Sequence, residues 1–185
     1  MPSIGVSLLS IAVGHFLDAF TYLLGDFASV SAHFGKTYQT ASVVDEHQQP
    51  TGETIQVTVP DQIAFSGVLK SGVVTSLNWR GGLPSTKGRK QFIWVIDGDE
   101  GSIQLESDDM GGGSIGLQDP KLYLNGELVV VENSTTAPQH NLTRAWKEYA
   151  KGEQGFYATF DDALKLHRLL DGITRSAEER KIIDF

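Results

Sequence analysis

Short β-rich runs, joined by tight glycine-containing turns, fill the middle of this chain, and no other feature constrains its fold as much. Gln62 to Leu69 leads through Lys70-Ser71-Gly72 into Val73 to Arg80. Gln91 to Ile96 leads through Asp97-Gly98-Asp99-Glu100-Gly101 into Ser102 to Glu106, and Asn125-Gly126 divides Leu122 to Val131. Turns this short join antiparallel neighbours, because a parallel return needs a long crossover. Asp26 to Phe34 and Thr54 to Val59 alternate in the same way. Lys36 to Glu53 is mostly polar, with a turn expected at Gln49-Pro50-Thr51-Gly52.

Helical patterns flank this region. Ser7 to Leu24 is apolar on most sides and stops at Gly25, which predicts a buried helix. Leu142 to Tyr149 predicts a short helix. A last one starts near Thr159, with Thr159 or Asp161 as its cap, and runs to about Ser176. Lys181 to Phe185 reads as a short closing strand. Strands outnumber helices and follow one another through hairpins. The expected class is α+β: an open, mostly antiparallel sheet with helices packed on one face, in one domain over residues 1–185.

Composition removes several chemistries. The chain has no cysteine, which excludes disulfides, thiolate zinc sites and thiol catalysis. Its formal net charge of -8, without a Lys/Arg cluster, argues against a nucleic-acid partner. The apolar first segment lacks the basic start and small-residue end of a signal peptide. His15 and Asp18 in its middle argue against a membrane span. The sequons at Asn133 and Asn141 therefore read as chance matches, and a cytoplasmic location is the expectation.

Gly111-Gly112-Gly113-Ser114-Ile115-Gly116 matches G-x-G-x-x-G, but it comes after Glu106-Ser107-Asp108-Asp109 and runs into Leu117-Gln118-Asp119-Pro120. Acids before it repel a pyrophosphate and the sequel does not extend a helix, so the stretch reads as a surface loop with no cofactor. The acids of Asp97 to Glu100 lack the ligand spacing of a calcium loop, and the histidines share no metal spacing. No metal is expected. His15, Asp18 and Tyr22 recur at helical spacing on one stripe with Ile11. Such a stripe suits either acid–base work or a satisfied polar cluster. Trp79-Arg80 ends one strand, and Phe92 and Trp94 alternate on another, as pocket lining on an open sheet face or as ordinary core.

Three stretches together resemble the C-terminal domain of the Gfo/Idh/MocA oxidoreductase family across nearly the whole chain. Gly5 to His15, continuing to Asp18 and Leu23-Leu24-Gly25, looks like the segment that opens the family's substrate domain. Val95 to Ile103 is similar to its I-x-G-x-x-G-S-I hairpin, and Phe160 to Leu164 with Arg175 to Glu178 to its closing helix. The form Ser10-Ile11-Ala12-Val13-Gly14-His15 is closest to the fungal galactose-metabolism regulator branch. The resemblance implies a substrate-facing His15, with Ile11 standing where the family's catalytic aspartate would be. Asp18 matches a further family aspartate that is more often structural. The dinucleotide-binding half has no counterpart here, so no nicotinamide cofactor is expected.

Three functions fit. The first is a cofactor-free enzyme performing a cyclisation, cycloaddition or isomerisation of an apolar substrate, with acid–base lyase chemistry fitting as well, His15 catalytic and Asp18, Tyr22, Trp79, Arg80 and Trp94 binding substrate. The second is a regulatory or ligand-binding protein of the galactose-regulator type. The third is an oxidoreductase fragment completed by another chain. Economy favours the first, because a retained pocket without its redox half suits reuse. A sheet face stripped of its second domain would be apolar, and it predicts a homodimer through the sheet.

Overall fold

The computed structural model describes residues 7–82, 89–108, 120–130 and 138–185. The Gly111 to Gly116 motif and Asn133 lie outside the described residues. The fold is α+β with antiparallel strand pairing throughout the described sheets. The chain forms two compact units, one of residues Met1–Leu83 with Leu166–Phe185, the other of Pro84–Lys165.

In the first unit, α1 (Gly14–Leu24) leads into β1 (Phe27–Gly35), then β2 (Thr40–Val44), β3 (Pro50–Gln56), β4 (Gln62–Leu69) and β5 (Val74–Arg80). The later part of α3 (Phe160–Glu179) and β10 (Ile183–Asp184) complete it. The sheet order is β10-β1-β4-β5, and β2 and β3 form a separate two-stranded ribbon. Alternation on β4 buries Ile63, Phe65, Gly67 and Leu69. Their cross-strand neighbours Val30, Ala32 and Phe34 share that face with Thr75, Leu77 and Trp79. Gly67 has no room for a side chain, since a Cβ there would lie 2.6 Å from the Phe27 ring and 2.7 Å from the Ser29 carbonyl oxygen.

The helices cover this inner face. Phe20 of α1 stacks on Phe27 at 5.5 Å between ring centres, and Phe27 meets the edge of Phe65 at 6.0 Å. Gly14 lets α1 close on α3, where its Cβ position is 3.5 Å from Leu170. Ser176 of α3 joins helix to sheet. Its buried hydroxyl accepts the Ala32 N–H at 2.9 Å and donates to the Lys181 carbonyl at 2.6 Å. The Phe185 N–H donates to the Ala28 carbonyl at 2.9 Å, so the closing residues line the edge of β1.

Four local expectations change. The opening helix is buried on one side only: Leu9, Val13, Leu17 and Phe20 point inward, and Ile11, His15, Asp18, Tyr22 and Leu23 are exposed. Its first turn, Leu9–Val13, is π-helical. The turn expected at Gln49 to Gly52 lies at Asp45 to Gln48 instead, because the Asp45 carboxylate accepts the N–H groups of His47 and Gln49. Pro50 then opens β3. Trp79 faces the helices, half-buried against Phe16 at 5.9 Å, and so belongs with the core reading. The outer face of the four-stranded sheet is mixed rather than uniformly apolar: Ser31, Ser66 and Ser76 form one cross-strand row and His33, Ala64 and Asn78 the next, while Ser29 stands beside the exposed Val68 and Val74.

The second unit is a meander, β6 (Phe92–Gly98), β7 (Gly101–Ser107), β8 (Lys121–Leu124) and β9 (Glu127–Val129), then α2 (Pro138–Tyr149). Asn125 and Gly126 both take positive φ, 53° and 81°, as a two-residue hairpin turn requires. The Asn125 side chain also accepts the Ser102 N–H at 2.9 Å. Trp146, Tyr149 and Tyr157 meet edge to face beside α2.

Candidate functional site

The opening helix sets the site. The Val13 N–H reaches back five residues to the Leu8 carbonyl, at 3.1 Å. Such an insertion rotates the turns after it, and π-bulges of this kind recur at functional sites. The side chains then sort cleanly. Core positions fall at Leu9, Val13, Leu17 and Phe20, and solvent positions at Ile11, His15, Asp18 and Tyr22. Ile11 is 45 % exposed and Tyr22 76 %, with Leu23 beside them at 61 %. The result is a stripe of apolar and ionisable side chains along a helix whose other face is fixed in the core.

His15, Asp18 and Tyr22 are thus on one face, as their spacing predicts. Their side chains make no hydrogen bond or ion pair with any described residue. General acid–base and nucleophilic sites instead show a reacting group held by a partner that is itself oriented. Ile11, one turn before His15, has a side chain that can accept no proton. Nothing on the stripe fixes the ring orientation of His15, and its geometry suits contact with a ligand or partner.

Two of the remaining candidates, Trp79 and Arg80, do not join it. Trp79 packs beneath α1 on the buried side. Arg80 lies on the opposite face of β5, where its charge helps hold the Asp61 carboxyl below the usual range. The larger causes there are the N–H groups of Tyr38 and Thr37, each donating to Asp61 at 2.9 Å. Trp94 belongs to the second unit, half-buried and opposite Leu105 on β7. No group of His, Asp or Glu among the described residues is arranged to hold a metal. Among them too, no helix is long and apolar enough to cross a membrane.

Sequence reasoning missed one constellation. Glu106, buried on β7, accepts Lys90 at 2.9 Å, the Tyr123 hydroxyl at 3.2 Å and the Gln104 amide at 3.0 Å. Lys90 also reaches Asp108 at 3.1 Å. The Lys90 ammonium holds the Glu106 carboxyl below its ordinary range against the opposing effect of burial, and Glu106 in turn raises Lys90. The signal was the period-two face shared by Gln104 and Glu106, which becomes readable only once the Asn125-Gly126 turn fixes which β8 residues lie opposite.

The family model described as Gal80p, C-terminal domain, matches residues 2–107, more than half of the chain. The galactose/lactose metabolism regulatory protein of Kluyveromyces lactis is 27% identical over 97% of this chain and 54% of its own length. The dehydrogenase aclE of Aspergillus oryzae is 28% identical over 94% of this chain and 47% of its own. The solved structure of the transcriptional regulator Gal80p from Kluyveromyces lactis superposes with a TM-score of 0.79 at 30% identity, over 97% of this chain and 48% of that one. The chain therefore spans about half the length of the relatives it matches.

Proposed function

Because this chain belongs to the Gal80p C-terminal domain family, we propose that it serves a regulatory protein of the galactose-regulator type, binding a small molecule or a protein partner without turning it over. The observation that carries the reading is the exposed stripe Ile11, His15, Asp18, Tyr22, in which the aspartate expected of a dehydrogenase is an isoleucine and the histidine has no orienting partner among the described residues. A polar group so placed serves recognition better than proton transfer, which needs a held base. The cofactor-free cyclisation or isomerisation favoured from sequence alone finds no supporting geometry, and neither the regulators nor the dehydrogenase among its relatives point to it.

One observation favours a second reading. A relative of comparable similarity is named a dehydrogenase, which fits an oxidoreductase half working beside a dinucleotide-binding partner. A deletion strain separates the two. The regulatory reading expects altered transcripts of sugar-catabolic genes and unchanged nicotinamide-linked turnover of sugars. Wild-type chain should restore the transcripts, and His15→Ala combined with Tyr22→Ala should not. Unaltered transcripts with a lost metabolite would overturn it in favour of an enzyme.

A further inference from the structure

The β8–β9 turn holds the only Asn-Gly dipeptide in the chain, Asn125-Gly126, and both residues are exposed. In such a dipeptide the Gly126 nitrogen can attack Asn125 Cγ, since glycine sets no side chain in the way. A C–N bond forms, the amide nitrogen leaves as ammonia with the Gly126 proton, and a five-membered succinimide results. Water then opens one of its two carbonyls. One opening gives aspartate. The other gives isoaspartate, whose backbone runs through the former side chain and is one carbon longer.

The fold governs whether that ring can close. Closure needs the Gly126 nitrogen on the same side of the Asn125 Cα–C bond as Cβ. Positive φ at both residues, 53° and 81°, makes the turn type I′. Its first central residue takes ψ of about +30°, the mirror image of a type I turn. That rotation sets the Gly126 nitrogen nearly opposite Cβ. The side chain is seated as well. The Asn125 N–H donates to the Ser102 carbonyl and the Asn125 Oδ1 accepts the Ser102 N–H, each at 2.9 Å. The carboxamide thus continues the β7–β8 ladder beyond its last pair, Ile103 with Leu124. It fills the space left by Gly101, where a Cβ would lie 2.1 Å from Oδ1. Leu124 pairs with Glu127 to close the turn.

We propose that Asn125-Gly126 is a self-modification site locked by the fold. The meander protects it while folded, and a chain in which β8 and β9 part converts Asn125 irreversibly to aspartate and isoaspartate. The two products differ in what they permit. Aspartate suits a type I′ turn as asparagine does, and its carboxylate can accept the Ser102 N–H. Isoaspartate lengthens a two-residue turn by one carbon and so displaces Leu124 from Glu127. The site therefore records whether the second unit has been open. It marks such chains with the misplaced carboxylate that carboxyl-methylating repair enzymes recognise. The lock is independent of the regulatory reading.

The test incubates the whole chain in mildly alkaline buffer with and without urea. The peptide that spans Asn125 is followed by mass spectrometry and by enzymatic methylation of isoaspartyl carboxyls. Conversion should be about tenfold slower or more in the folded chain, because only the open fraction reacts. It should rise with urea in step with unfolding tracked by circular dichroism, a dependence that needs no variant. Gly101→Ala, which unseats the Asn125 side chain, should speed conversion in native buffer. Gly126→Val, which crowds the attacking nitrogen, should slow it in urea. After refolding, Asn125→Asp should regain the wild-type urea midpoint and isoaspartyl chains should not. Equal conversion in native buffer and in urea, no conversion in urea, wild-type protection in a folded Gly101→Ala, or isoaspartyl chains with the wild-type midpoint would each overturn the assignment.

Discussion

Ser176→Ala tests how the first unit is held together. The hydroxyl is 1% exposed and serves two backbone groups, accepting the Ala32 N–H at 2.9 Å and donating to the Lys181 carbonyl at 2.6 Å. β10 pairs only with Ser29 and Val30, so at Ala32 the hydroxyl continues the ladder that the short strand abandons. Alanine removes little volume and strands one donor and one acceptor. The buried Ala32 N–H costs about 1–3 kcal/mol when orphaned, while the Lys181 carbonyl, on an exposed residue, can turn to water, which puts the loss at about 2 kcal/mol. For a unit of this size about 1 kcal/mol moves the melting temperature by roughly 4–8 °C, so a drop of about 10 °C or more is expected. Thr174→Ala is the control: its hydroxyl only supplements a helix carbonyl, that of Leu170, at 2.8 Å. Urea unfolding tracked by circular dichroism gives both values, and an unchanged slope shows that the unfolded state is unaltered. If Ser176→Ala costs no more than Thr174→Ala, the hydroxyl bridge is not what joins α3 to β1.

His15→Ala should melt at the wild-type temperature, because an exposed side chain without partners contributes within about 0.5 kcal/mol; a large drop by calorimetry would make the residue structural. The isolated chain should not bind nicotinamide dinucleotides tightly, and micromolar binding by titration calorimetry would refute this. Gly67→Ala should destabilise by about 1–3 kcal/mol through overpacking against Phe27, read as a lower urea midpoint. Glu106 has a lowered folded pKa, so its contribution is present above the ordinary carboxylate value and is lost as pH falls through the folded one. The melting temperature should therefore fall on acidification below about pH 4.5, and Glu106→Gln should lessen that slope; identical pH profiles would remove the Lys90 pair from the acid response.

The hairpins were legible because their turns are local. Lys70-Ser71-Gly72, Asp97 to Gly101 and Asn125-Gly126 each join the strands their chemistry predicts. Thr159 was legible as a cap for the same reason: its hydroxyl accepts the Asp162 N–H, and the Asp162 carboxylate accepts the Thr159 N–H. What required the fold was anything set by partners distant in sequence. The direction of Trp79 depended on which face of β5 the helices cover, and alternation alone serves either face. The serine row of the outer sheet face was hidden because its members come from three strands that become neighbours only through register. The stripe of His15, Asp18 and Tyr22 was read correctly as a face, since helical spacing is local. Its exposure was not, because an apolar Ile11 and Leu23 suggested burial all round.

The closing of β1 by Ser176 and β10 has a consequence for the order of assembly. The hydroxyl and the amide it satisfies are 144 residues apart. The first unit is drawn from both ends of the sequence, and the second is one unbroken stretch between them. On a ribosome, β1 emerges before β10 and waits with an open edge while the whole meander is made. The second unit has all its strands in hand by then. Long-range closure of this kind is slow, because a large loop must be ordered before its contacts repay it. The early-made half is thus the late-folding one, and its exposed first strand is where a nascent chain of this protein is most open to mispairing or to a chaperone.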